Sequence, residues 1–306
     1  MTVVSELAEC LKETHDPAVA LELLSATTAR SHVEAALDVL RRSALGDKAR
    51  SVLRERLNFY FENTDKDRGA TLREAFVRLL MEIGHPDDLD LYLRALSVYE
   101  GIPPTPKIDV AQKLRTAALI AAAGIDPDLA QLYAVKFLSE VDDTSDFSGE
   151  PAMTALNLLV RYERWQPIYQ YVLLVRDYKP EYADVVSHAL ESLPADFPVA
   201  LYAAAAQQFI ERDLAVEQTG IVGSIVEQRR TELYPLLEQI VKQTRYGDLH
   251  RYTVIQMAAA RDRKLSEMLF ALAKFSSLEH IPNFVEALEL MPGSDDMLKM
   301  LRSRQK

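Results

Sequence analysis

The sequence predicts an all-α protein built as a row of about eight or nine antiparallel helix pairs, and three observations carry that prediction. Prolines recur at intervals near 40 residues, small residues recur at a similar interval, and the β-branched runs and Gly-rich turns that strands need are missing. Hydrophobic residues make up 48% of the 306 positions and charged residues 26%, with only 10 glycines and 14 prolines. That balance suits a chain with a large buried core, and helix is its default reading.

Each recurring proline stands just before an apolar-periodic run. Pro86, Pro127, Pro167, Pro198 and Pro235 are spaced 41, 40, 31 and 37 residues apart. A helix's first turn tolerates proline because its amide has no intrahelical acceptor there. In Asp16-Pro17 and Asp126-Pro127 an aspartate precedes the proline, where its carboxylate can accept orphan backbone amides. The preceding helix of each pair carries the second signal. Ala75, Ala117, Ala155, Ala189, Ser224 and Ala258 recur at 42, 38, 34, 35 and 34 residues, at places where a small side chain lets a neighbouring helix approach.

The best-formed unit runs from Leu72 to Leu96. Leu72, Phe76, Leu79, Leu80 and Ile83 form one helical stripe that stops at Gly84, a C-cap residue. His85-Pro86-Asp87-Asp88 makes the turn, with acidic residues where the next helix's dipole favours them. Leu89, Tyr92, Leu93 and Leu96 form the second stripe. Leu114 to Leu138 repeats the plan, with Gly124 and Asp126-Pro127 at the turn. Leu72-Arg73-Glu74-Ala75 and Leu114-Arg115-Thr116-Ala117 open the two units.

These two units resemble HEAT repeats, including the bacterial kind found in phycobilisome lyases and related scaffolds. That family joins an apolar first helix, a turn with Pro or Asp, and a second helix with a basic residue partway along, here Arg94 and Lys136. From Pro151 onward the Gly-Asp turn is lost, so the later units read as degenerate copies. The resemblance implies a right-handed α-solenoid. An armadillo-like array is open on the same residues, whereas the fixed Trp, Gly and Tyr positions of tetratricopeptide repeats are not visible.

Connectors are expected at Asn63–Gly69, Glu100–Lys107, Val141–Glu150 and Met291–Asp295. Gly101 to Pro106 is expected to be stiff, because proline fixes the backbone. None is long enough for a domain linker, so residues 1–306 are read as one array whose basic tail, 297–306, can fray.

The net charge of −11 argues against a general nucleic-acid or anionic-membrane binder, since both need excess Lys and Arg. Cys10 is the only cysteine, so a disulfide framework is ruled out and a reducing, cytoplasmic compartment is expected. Residues Met1 to Leu7 lack a signal-peptide pattern, and Ala117–Ala123 and Leu201–Ala206 fall far short of the roughly 18 apolar residues of a membrane span.

Catalytic patterns are weak. His15, His32, His85, His188, His250 and His280 are scattered, without the i, i+4 spacing of a zinc helix, and read as surface or capping residues. Asn63, Asp65, Asp67 and Glu74 fall in a calcium-loop frame, but Arg68 stands where the sharp turn needs Gly, so a capped turn is the better reading. Asp142-Asp143-Thr144-Ser145-Asp146 is weaker still. Gly220-Ile221-Val222-Gly223 lacks the Lys and Ser or Thr of a phosphate loop. No nucleophile elbow is present.

The expected function is therefore non-enzymatic: a scaffold, without cofactor or metal, whose second helices present a concave surface to a protein or peptide partner. The binding candidates are Tyr92, Arg94, Tyr133, Lys136, Trp165, Tyr169 and Tyr202, some of which must be core. The alternative is a HEAT-like enzyme or accessory, similar to alkylpurine DNA glycosylases or bilin lyases. The aromatic-basic segment around Arg161, Arg164, Trp165 and Arg176, with Tyr162, Tyr169 and Tyr171, would then meet nucleic acid or an acidic peptide. Packing of those aromatics into the core is the competing reading.

Overall fold

The computed structural model describes residues 2–102, 105–140, 148–175 and 182–304, which divide into two compact units, 1–159 and 160–306. Among these residues there are eighteen α-helices and one short antiparallel hairpin. No helix among them is long and apolar enough to cross a membrane.

The first unit contains α1 (Val3–Thr14), α2 (Pro17–Ala26), α3 (Arg30–Leu40), α4 (Asp47–Glu62), α5 (Thr71–Ile83), α6 (Leu89–Leu96), β1 (Gly101–Ile102), β2 (Thr105–Asp109), α7 (Gln112–Ile125) and α8 (Pro127–Ser139). The division falls inside α9 (Ala152–Arg161). Helices pack on near neighbours in sequence: α2 on α1, α3 and α4, α5 on α4 and α7, and α7 on α6 and α8. This is helix-pair packing. It buries Leu72, Phe76, Leu79 and Leu80 on α5, and three of the caps are those the sequence indicates. Asp16 accepts from the Ala18 amide at 2.8 Å and Asp126 from Leu129 at 3.0 Å, each just before a proline, and Gly84 closes α5 in the left-handed region.

Two expectations are corrected in this unit. The connector read as a stiff proline-rich link contains the β1–β2 hairpin, pairing Gly101 with Asp109 and Ile102 with Thr105. Proline holds φ in the extended range, which suits strand as well as it suits a spacer. Gly124, read as a turn residue, lies inside α7, which runs on to Ile125.

Two buried arginines pin this connector. Arg73, at the start of α5, is fully buried. Its Nε donates to Asp67 at 3.0 Å, and its Nη2 donates to Asp67 O at 3.0 Å and Glu100 Oε2 at 2.8 Å. Arg115 repeats the device one unit on, bonding Asp109 and donating to Val98 O at 2.8 Å, with its guanidinium 4.2 Å above the Tyr99 ring. A buried charge is tolerable when it is paired, and here each arginine is paired with a carboxylate from the segments to be held. In the Asn63–Glu74 loop the Asp67 carboxylate is taken up by the Leu72 and Arg73 amides and the Arg73 side chain, and Glu74 pairs with Arg78 at 2.9 Å. The Asp142–Asp146 loop lies outside the described residues.

The second unit contains α10 (Trp165–Leu174), α11 (Ala183–Ser192), α12 (Val199–Glu211), α13 (Ala215–Glu227), α14 (Tyr234–Gln243), α15 (Gly247–Ala259), α16 (Arg263–Lys274), α17 (Ile281–Glu289) and α18 (Asp295–Arg304). Here α11, α13, α15 and α17 pack in series as one layer, and α12, α14, α16 and α18 as a second. The basic C-terminal stretch, read as a tail that can fray, is helical to Arg304 with Leu298 and Leu301 buried.

The six recurring small residues are all buried, each on the first helix of its pair. The tightest approach is made by a residue outside that series. A Cβ at Gly220 would lie 2.1 Å from the Ser187 carbonyl oxygen and 2.8 Å from its Cα, so α13 meets α11 backbone to backbone. That is the role of the Gly220-Ile221-Val222-Gly223 segment.

A candidate partner-binding groove

In the second unit a groove of about 660 Å³ opens between α14 and α16, both second helices of their pairs. Its floor comes from the other layer. His250 on α15 is buried, and its ring lies parallel to that of His280, centroids 4.0 Å apart. Phe284 on α17 meets His250 edge-on at 5.2 Å. Burial, aided by the neighbouring His280, holds the His250 pKa down to about 4, so the ring is neutral near pH 7. A neutral ring can keep Nδ1 as an acceptor, and the Asn283 amide nitrogen stands 3.1 Å from it.

The walls are apolar, with Val241, Met268, Ala271 and Leu272, and Glu238 and Lys242 form an ion pair along the rim. At the mouth stands Phe275, 87% exposed just past the end of α16, and Leu278, three residues on, is 67% exposed. The chain is held there from α18: Arg304 donates to Lys274 O at 3.1 Å and to Ser276 O at 2.6 Å, on either side of Phe275. A large ring is thus fixed outside the core. Burying it against a partner would recover about 1.5–3 kcal/mol.

This arrangement corrects the reading of the histidines. His85 does cap, accepting from the Asp87 amide at 3.2 Å. His250 does not; it is core, and the fold brings together two rings thirty positions apart in the chain.

Of the predicted binding residues, Tyr92, Arg94, Tyr133 and Lys136 lie in the first unit and Trp165, Tyr169 and Tyr202 in the second. Tyr92 and Tyr202 are fully buried, so neither phenol can meet a macromolecular surface. Burial raises both phenols, Tyr202 to about 12, and the Arg230 guanidinium covers Tyr202 at 4.4 Å. Arg94 is exposed but lies over Phe61 at 4.5 Å and donates to Asn58 at 3.4 Å. Tyr133 is half-buried, with its ring 6.4 Å from Phe137. Lys136 reaches back to the Tyr99 hydroxyl at 2.8 Å and to Glu140 at 3.4 Å, and Tyr99 in turn donates to Glu140. Trp165 opens α10 half-buried. Tyr169 donates to Leu201 O at 3.2 Å and packs on Phe197, while Tyr171 is core. Arg176 lies outside the described residues.

Comparison of the chain with protein-family models and with curated proteins finds no match.

Proposed function

We propose that the protein is a non-enzymatic scaffold whose helix pairs form right-handed, HEAT-like stacks, and that it binds a protein or peptide segment in the groove between α14 and α16. The packing of neighbouring helices on one another within each unit supports the paired reading. The single observation that carries the binding reading is Phe275: a ring 87% exposed, beside an apolar groove, on a backbone pinned on both sides. Apolar side chains set in well-packed pockets supply most of the energy of protein recognition. A groove with apolar walls, floored by the neutral His250 ring and by Phe284, favours an amphipathic helix or extended segment with aliphatic or aromatic anchors.

The test is selection of peptides from a random library on the whole chain, followed by calorimetry on the parent and the Phe275→Ser/Leu278→Ser variant. Both residues are exposed, so the variant should fold like the parent. Selected peptides should carry two or more spaced apolar anchors and lose at least tenfold in affinity on the variant. Affinity unchanged by the double substitution would remove the groove from the function.

A further inference from the structure

A second cavity, of about 680 Å³, lies in the first unit among α1, α2 and α3. Its floor is apolar, with Leu11, Leu23 and Val39 all buried. Its charged lining leans to one sign: Lys12 and Arg42 face it against a single carboxylate, Asp38, which is already bonded to Arg41 at 2.9 Å. Lys12 and Arg42 are exposed, and among the described residues neither is paired with a carboxylate. Two uncommitted cations beside an apolar floor favour an anionic group with an apolar body. On a chain of net charge −11 this local excess of base runs against the whole.

We infer that this cavity binds a small anionic amphiphile. Its apolar body rests on Leu11, Leu23 and Val39, and its single anionic group meets Lys12 and Arg42. The volume fits a compact ligand of drug size and is closed to a folded partner. Charge-assisted bonds from two cations supply the discrimination for the anion, and the floor supplies the affinity.

The test uses two fluorescent probes that share one ring system: 8-anilinonaphthalene-1-sulfonate, which is anionic, and N-phenyl-1-naphthylamine, which is neutral. Both are titrated into the full chain, into Lys12→Gln/Arg42→Gln and into Ala35→Phe. Ala35 is exposed on α3 and lines the cavity, so the new ring fills it from the solvent side. Unchanged far-UV circular dichroism and urea midpoints establish that the variants fold. The double variant should weaken the sulfonate at least tenfold and the neutral probe less than twofold, while Ala35→Phe should abolish both signals. Displacement of the sulfonate by decanoate assigns an aliphatic acid; failure to displace, with the variant effects intact, assigns an aromatic one. Either supports the site. Sulfonate binding that survives Ala35→Phe, or that the double variant leaves unchanged, overturns it, as does equal weakening of the two probes.

Discussion

Gly220→Ala is the sharpest probe of the packing in the second unit. The added methyl would stand 2.1 Å from the Ser187 carbonyl oxygen, 2.7 Å from its carbon and 2.8 Å from its Cα. Side-chain carbons essentially never approach within 3.0 Å, so α13 and α11 must part by about 0.9 Å. Backbone atoms cannot swing aside. Such overpacking costs about 3 kcal/mol, at the upper end of its range, because a gap of that size also weakens dispersion along the whole contact. Alanine recovers about 1 kcal/mol of helix propensity over glycine, leaving a net loss of about 2 kcal/mol. Gly223→Ala is the matched control. It sits three residues on in the same helix, but its methyl meets only the carboxylate tip of Glu191, at 2.8 Å, which can rotate away. The propensity gain then dominates, and the change should be neutral or stabilising by up to about 1 kcal/mol. Trp165 is the only tryptophan and lies in this unit, so its fluorescence reports unfolding there in urea. With a slope of about 2 kcal/mol/M, Gly220→Ala should lower the midpoint by about 1 M. Equal shifts for the two substitutions would refute a backbone contact between α11 and α13.

The neutral, buried His250 makes stability depend on pH. Its folded pKa, about 4, lies below the unfolded value near 6.5, so the unfolded chain binds the extra proton first; stability is full above pH 6.5 and falls as pH drops toward 4, by about 3 kcal/mol. Urea midpoints from pH 7.5 to 4.5 should show this slope, and His250→Gln should flatten it. Arg73→Met leaves Asp67 buried with its backbone amide bonds but no counter-charge, and should destabilise the first unit by about 3 kcal/mol, read by circular dichroism in urea. Arg304→Ala frees two carbonyls flanking Phe275; amide exchange around residues 275–280 should quicken while the unfolding midpoint of the second unit moves by less than about 1 kcal/mol.

The helical class and the order of helix pairs were legible because proline, aspartate and small residues act locally. Asp126-Pro127 caps a helix wherever it stands, and Ala117 is buried because its stripe is. The hairpin was hidden: its prolines read equally as spacer and strand, and pairing is decided by where α6 and α7 leave the ends. Arg73 and Arg115 look like surface residues of an amphipathic stripe. The available signal was the repeated spacing of six from Asp67 to Arg73 and from Asp109 to Arg115. Gly220 fell outside the small-residue series by four positions, one turn before Ser224. The groove was legible least of all. Phe275 continues the spacing of Leu265, Leu269 and Leu272, so periodicity counts it as core, yet α16 stops at Lys274 and the turn carries the ring into solvent. His250 and His280 meet only through the packing of α15 on α17, which no local pattern encodes.

The seam at Gly220 also has a mechanical meaning. Most joints in a stack of helices are cushioned by side chains that change rotamer when the stack is bent. Amide against amide has no such give, so strain on the second unit, from a ligand wedged between α14 and α16 or from a pull along the chain, must be taken up elsewhere. The softer joints flank the groove, where α15 meets α17 through imidazole and phenyl rings. Flexing is thereby directed to the place where an incoming segment would need room.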